Sequence, residues 1–470
     1  MNIAMFTNNY KPFIGGVPIS IERLSDGLRS LGHKVTVFAP EPEAGLSGNP
    51  EEDVVRFKVI YRKADRGMAL GNCFDKKIET CFMDGEFDAI HVHHPVLVGQ
   101  TALYLGKKYN IPVAYTYHTR YEEYLHHFKL YEAMASEEYP VSWIARYGKE
   151  VLVPSLITAF TNKCDLVFAP THTIKEHLLE QGTKTRISVL PTGLDHAAFE
   201  SDKIHSAGIR ALYSDGCPYL FATTARLEKE KNLEFLLRGA ACLKGILGEG
   251  FRLMVIGDGT ERARLDELAG LLGISRQIVF TGKIENTQVR HYLNAADAFL
   301  FTSKSETQGI VLLEAMAAGC PVTAVRASGV VDVVRQGVNG FMTAEDPYAF
   351  AAAAARLVLN QDVWSRMSDE ARRTAQSYES GRIAALAAEQ YGFMIRQKKD
   401  AGYGEHGKRM FVPSIAVRVS SYIFAYDPRA AAQGKKSPCI TVACRGALPF
   451  LPGLIIRFPC VSGLQGLSSR

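Results

Sequence analysis

The sequence predicts an α/β protein made of two doubly wound, Rossmann-like domains that face each other across a cleft. Three observations predict it. At 470 residues the chain is too long for one hydrophobic core. Short apolar runs rich in Val, Ile and Phe alternate with helical patterns, which calls for parallel sheets covered on both faces. That rhythm occurs twice, in two series separated by a polar connector at roughly 195–216.

In the first series, 2–6 reads as a strand. The helix at 18–31 is started by Pro18 and stopped by Gly32, and a second strand follows at 34–39. Further strands are expected at 54–59, 89–92, 113–117, 166–169 and 187–190. The second series places strands at 219–224, 253–256, 278–280, 298–301 and 322–325, with helices at about 232–247, 262–272, 287–295 and 310–318. Helical patterns at 349–359, 363–377 and 381–398 close the unit. Two such sheets leave their strand C-terminal edges facing a gap, where open α/β sheets bind ligands.

Composition narrows the class. Apolar content of 47% and charge of 22% are those of a globular protein. The net charge of +5 is unevenly placed: from Gly404 on, nine Lys/Arg accompany two Asp/Glu, leaving the body near neutral. No nucleic-acid partner is therefore indicated. Cys73, Cys81, Cys164, Cys217, Cys242 and Cys320 are scattered singly, which suggests neither a disulfide framework nor zinc and fits reduced cytosolic thiols. The N-terminus enters a strand directly without a signal-peptide pattern, and no apolar run reaches about 18 residues, so a cytoplasmic location is expected. The 404–470 tail breaks the helical rhythm. It reads as a basic membrane-contacting extension, a disordered tail, or sequence unrelated to the fold, for instance after a frameshift, and no catalytic role is assigned to it.

The most informative stretch is Ser305-Glu306-Thr307-Gln308-Gly309-Ile310-Val311-Leu312-Leu313-Glu314, between the strand at 298–301 and a helix. It is a strand-to-helix turn whose glycine lets backbone amides approach a ligand, with one carboxylate at the turn and one inside the helix. Helix N-termini attract phosphate, and carboxylates accept hydrogen bonds from sugar hydroxyls. A nucleotide-sugar satisfies both. Two acids at this spacing are usually solvated surface, so the surrounding string decides.

Other residues gather at strand ends. Gly15 and Gly16 lie between the first strand and its helix, where a loop can bring amides to a diphosphate; the plainer reading is a tight turn needing positive φ. Arg226 and Lys231 follow the strand at 219–224, where a departing diphosphate needs countercharge; otherwise they belong to a solvated mixed-charge loop, and Lys229 is the weaker candidate. His118 follows the strand at 113–117 and could meet a sugar hydroxyl or the acceptor, although a lone histidine is more often structural. His91, His93 and His94 lack a carboxylate or thiol at ligand spacing, so a strand-end cluster lining the cleft fits better than a metal.

The string SETQGIVLLEAMAAGCPV, from Ser305 to Val322, resembles the Glu-x7-Glu signature of retaining glycosyltransferases of family 4, and the Gly15-Gly16-Val17 loop resembles that family's glycine loop. The resemblance covers about 1–395 and implies the GT-B architecture. It implies an acceptor-side domain at 1–200, a nucleotide-sugar domain at 215–378, and a last helix, about 380–398, crossing back to the first. On it, Arg226 and Lys231 meet the diphosphate, and Glu314 takes the ribose hydroxyls. Glu306 holds hydroxyls of the transferred sugar without acting as a covalent nucleophile, and His118 faces the sugar or acceptor. Gly15 and Gly16 approach the donor. Backbone amides of Thr307, Gln308, Gly309, Ile310 and Val311 cradle sugar and phosphate, and Gly282 and Lys283 read the base. The usual family proposal is front-face displacement. The chain contains no Asp-x-Asp, in keeping with metal-independent chemistry and no cofactor.

On the acceptor side, Tyr121, Tyr124, Phe128 and Tyr131 recur at helical spacing. Tyr139, Trp143 and Tyr147 follow, interleaved with Arg120, Arg146 and other cations. Such stripes suit a membrane headgroup layer, although periodicity alone favours core packing. The segments from Thr116 to His127 and from His93 to Gly99 resemble bacterial diacylglycerol glucosyltransferases. Pro18, and Asp332 where the family usually carries Glu, depart from the pattern and leave acceptor and sugar open. The expectation is a hexosyltransferase moving glucose from UDP-glucose to diacylglycerol at an anionic inner membrane face. Tyr121, Tyr124, Trp143 and Arg146 are its acceptor and membrane residues. The rivals are a GDP-mannose- or other UDP-sugar-dependent transferase acting on another lipid or a soluble acceptor, a nucleotide-sugar epimerase, and a binding protein without activity.

Overall fold

The computed structural model describes residues 1–13, 15–42, 53–63, 68–121, 148–404, 440–443 and 455–458. Residues Met1–His406 form one compact unit containing two parallel sheets. In the first sheet the strands are β1 (Asn2–Phe6), β2 (Lys34–Pro40), β3 (Val54–Phe57), β6 (Ala89–Val92), β7 (Val113–Thr116), β8 (Leu166–Ala169) and β9 (Ile187–Val189). They lie in the order β3-β2-β1-β6-β7-β8-β9. Strands β4 (Val59–Lys63) and β5 (Met68–Gly71) form a separate antiparallel pair. The strand expected at 54–59 therefore stops at Phe57, and the chain turns into a hairpin instead.

The second sheet contains β10 (Tyr219–Thr224), β11 (Phe251–Ile256), β12 (Ile278–Gly282), β13 (Ala298–Phe301), β14 (Val322–Val325) and β15 (Gly340–Thr343). Their order is β12-β11-β10-β13-β14-β15. In both sheets the strand order reverses beside the first strand, between β1 and β6 and between β10 and β13. Those are the points where flanking loops part and a crevice opens at the strand C-termini. The core is buried on both faces of each sheet, which explains the continuous apolar strands such as Ala298-Phe-Leu-Phe301, all under 5% exposed.

The connector expected at 195–216 is not a plain linker. Asp202 caps a helix, Lys203–Ser214, whose Ile209 is buried against the second domain. The chain passes between the two sheets twice, and the crossings are tied together: Leu194 N donates to Tyr378 O (2.7 Å) and Ser380 N to Leu194 O (2.8 Å). A Cβ on Gly193 would lie 2.7 Å from Ser380 Cα, so only glycine lets the strands touch here. The helix Ser380–Gly404 then packs on the first domain, burying Ile383, Ala384, Ala387, Tyr391 and Met394 with Ile3, Met5 and Ile21. Full burial of a side chain such as Met394 stabilises that docking by roughly 1.5–3 kcal/mol.

Residues Gly407–Arg470 form a separate unit in which β16 (Ile440–Ala443) and β17 (Ile455–Phe458) pair antiparallel. No described helix is long and apolar enough to cross a membrane.

Candidate active site

The two switch points bring the predicted residues to one place. Lys231 follows β10, Glu306 follows β13, and these strands are neighbours where the second sheet reverses. Lys231 Nζ is hydrogen-bonded to Glu306 Oε1, and Ser303 Oγ lies 3.4 Å from the same oxygen. Burial pushes the Glu306 carboxyl up, but Lys231, Ser303 and the more distant Arg226 outweigh it, and its pKa is held below the usual value. Glu306 is therefore an anion paired with a cation. Arg226 points away from this pair: it is 62% exposed and bonds Glu230 Oε1 at 3.2 Å.

Gly309 takes φ +70° at the N-cap of the helix Ile310–Ala317, a conformation that β-carbon-bearing residues rarely adopt. That kink turns the helix N-terminus, with Ile310 and Val311, into the gap. Glu314, one turn further, reaches across to the first domain, where its Oε1 accepts from Arg23 Nη2 at 2.9 Å. Arg23 is only 5% exposed and also bonds Asp195 Oδ2 (3.0 Å) and Gly193 O (3.2 Å). Sequence reasoning missed Arg23, because its partners lie far away in the chain and no motif marks it.

The turn itself is clamped to the first domain. Thr307 Oγ1 donates to His118 O (3.0 Å), and Thr171 Oγ1 donates to Thr307 O (3.3 Å). Gln308, buried, exchanges two bonds with the Thr192 backbone, 2.7 and 3.0 Å long. Its side chain is thus committed to interdomain contact. Asp332 Oδ1 receives His172 N (3.1 Å) and Thr173 N (3.4 Å), capping a helix of the first domain.

On the first domain, Gly15 and Gly16 lie at the start of the helix Gly16–Ser30, and neither has positive φ. The expected tight turn with positive φ is therefore not formed, and a Cβ on Gly16 would meet nothing within 4 Å. Gly282 (φ +74°) ends β12, and Lys283 follows it.

The histidines divide their labour. His118 Nε2 and His93 Nδ1 share a 2.8 Å hydrogen bond with stacked rings. Burial, then His94 and His91, hold the His118 pKa well below its ordinary value, so its ring is neutral. His93, 1% exposed, is likewise lowered, and its Nε2 lacks a partner while the residue lines a small pocket of mixed character with Ser20, Thr192, Leu190 and Ile383. His91 does not line the cleft, contrary to expectation. It is fully buried between Thr116 Oγ1 and Tyr391 OH, each 2.6 Å away, and so locks the returning helix onto the sheet. Tyr121 is half-buried against the first domain's core rather than displayed. Tyr124, Trp143 and Arg146 lie outside the described residues.

Two family models match consecutive parts of the chain: Glycosyltransferase Family 4 over residues 14–198 and Glycosyl transferases group 1 over 210–374. An alpha-monoglucosyldiacylglycerol synthase of Acholeplasma laidlawii is 30% identical over 72% of this chain and 84% of its own length. The chain belongs to the family 4 glycosyltransferases. A second alpha-monoglucosyldiacylglycerol synthase, from Streptococcus pneumoniae, is 30% identical over 69% of this chain and 71% of its length. The fold is that of the crystal structure of Anabaena HepE in complex with UDP, with a TM-score of 0.65 at 17% identity, covering 83% of this chain and all of that one. The enzyme is therefore a GT-B glycosyltransferase.

Proposed function

We propose that this glycosyltransferase moves glucose from UDP-glucose to diacylglycerol with retention of anomeric configuration and without a catalytic metal. The observation that carries the reading is that the two acids of the Glu-x7-Glu turn face one interdomain gap, each matched by a cation from a different element: Glu306 by Lys231 and Glu314 by Arg23. The names of the two synthases that share 30% of their residues with this chain support the lipid acceptor.

In this reading the diphosphate lies at the helix N-terminus after Gly309, near Lys231, and Arg226 leaves Glu230 to join it, so that the two cations neutralise charge as the glycosidic bond breaks. Glu314, oriented by Arg23, accepts the ribose hydroxyls. Glu306 grips sugar hydroxyls and, already ion-paired, stabilises positive charge at the anomeric carbon rather than attacking it. Neutral His118 accepts a hydrogen bond from the sugar or orients the acceptor. Gly15, Gly16, Gly282 and Lys283 approach the donor along the walls, and the acceptor enters from an anionic membrane surface.

The test is transfer from a panel of labelled nucleotide-sugars to mixed lipid vesicles with and without diacylglycerol. Glucolipid formed from UDP-glucose only when diacylglycerol is present is expected. Transfer confined to GDP-mannose or to water-soluble alcohols would overturn the reading.

A further inference from the structure

Among the described residues, one trio of histidine and carboxylate side chains converges away from the catalytic gap: Asp202, His205 and His291. We propose that this trio is a binding site for a borderline divalent transition metal, zinc above all, that staples the helix Lys203–Ser214 to the helix Asn286–Ala295. One donor atom from each residue lies within 4.8 Å of the other two. The imidazoles of His205 and His291 stack face to face with centroids 4.4 Å apart and planes 7° from parallel, which holds the exposed ring against the buried one.

The surroundings suit a ligand set. His291 is 5% exposed, yet its Nδ1 has no hydrogen-bond partner, and Nε2 has only a long 3.4 Å contact with Arg290 Nε. A buried polar atom left unpaired costs stability, and a bound metal removes that cost. Asp202 uses Oδ1 to cap its helix, accepting from His205 N at 2.9 Å. The amide thus fixes the carboxylate's orientation, the kind of outer-shell support that metal ligands usually have.

Two imidazoles and one carboxylate match zinc, whose bonds to nitrogen and oxygen are about 2.0–2.2 Å, with water completing the tetrahedron. His205 is exposed, and turning its ring out of the stack while Asp202 and His291 stay in place would close the remaining distance. Magnesium, which prefers oxygen ligands, is excluded by the same chemistry. The bound ion would cross-link the chain leaving the first domain to a helix of the second, and so stabilise the native state by mass action.

The experiment uses the full chain stripped with a chelator and titrated with Zn²⁺, Co²⁺ or Mg²⁺. One Zn²⁺ per chain, a raised melting temperature, and Co²⁺ absorption of tetrahedral type without thiolate charge-transfer bands are expected, with no response to Mg²⁺. His205→Gln, at an exposed position that folding tolerates, and Asp202→Asn, which keeps the helix cap, should each weaken Zn²⁺ at least tenfold. Equal affinity in wild type and His205→Gln, or a Co²⁺ spectrum dominated by thiolate, would overturn the site.

Discussion

Replacing Lys231 by Met tests the electrostatic reading at its centre. Lys231 is 13% and Glu306 25% exposed, so the pair is only partly screened by water. Two unit charges about 4 Å apart at an effective dielectric near 20 attract by about 4 kcal/mol, on the order of three pKa units on a carboxyl such as Glu306. Without the lysine, burial becomes the dominant influence on that carboxyl and raises its pKa. Two effects are expected together. Loss of a preorganised donor to the leaving diphosphate costs about 3–4 kcal/mol of transition-state stabilisation, a few hundredfold in kcat/KM. The acidic limb of the kcat/KM profile also moves up by at least about one pH unit as Glu306 holds its proton longer. Initial rates of labelled glucolipid formation between about pH 3.5 and 8 read both. A loss below tenfold, or an acidic limb that stays in place, refutes the assignment.

Burial lowers the pKa of His91 from 6.5 to about 3 and that of His94 to about 4. Between these values and 6.5 the unfolded chain binds more protons than the native one, so stability is complete above pH 6.5 and is lost as pH falls. His91 alone should remove about 1.4 kcal/mol between pH 7.5 and 5.5. Urea melts that coincide at the two pH values would contradict this. Arg23→Met breaks a buried ion pair and leaves Glu314 unsupported, so unfolding free energy should fall by about 3 kcal/mol. Calorimetry should show UDP affinity down at least tenfold, and unchanged affinity would show that Glu314 does not depend on Arg23. His118→Ala should cut kcat at least a hundredfold, whereas His93→Gln should lower kcat less and shift its pH dependence. Equal effects of the two changes would argue against His118 being the one that meets the substrate while His93 only positions it.

Much of this architecture was legible because burial on both faces writes a strand as an uninterrupted apolar run. The strands 2–6, 89–92, 166–169, 219–224, 298–301 and 322–325 coincide with the structure for that reason. Elements without that signature escaped. Strand β15, Gly-Phe-Met-Thr, is a short edge strand opened by glycine, and the β4–β5 hairpin carries Arg62 and Lys63 outside both sheets. The helix Lys203–Ser214 hid in a polar connector, although Asp202 was a capping signal. Motif spacing named Glu306, Lys231 and Glu314. It could not show that Gln308 binds Thr192 or that Arg23 seats Glu314, because those pairings join positions brought together only by the fold.

The most direct test of the central claim is a crystal structure with UDP-glucose bound. The account predicts donor in the gap between the two sheets, ribose hydroxyls on Glu314, the diphosphate at the helix N-terminus after Gly309 with Lys231 and Arg226 upon it, and glucose facing His118. Donor bound anywhere else, or bound there with Glu306 and Glu314 out of contact, would contradict it.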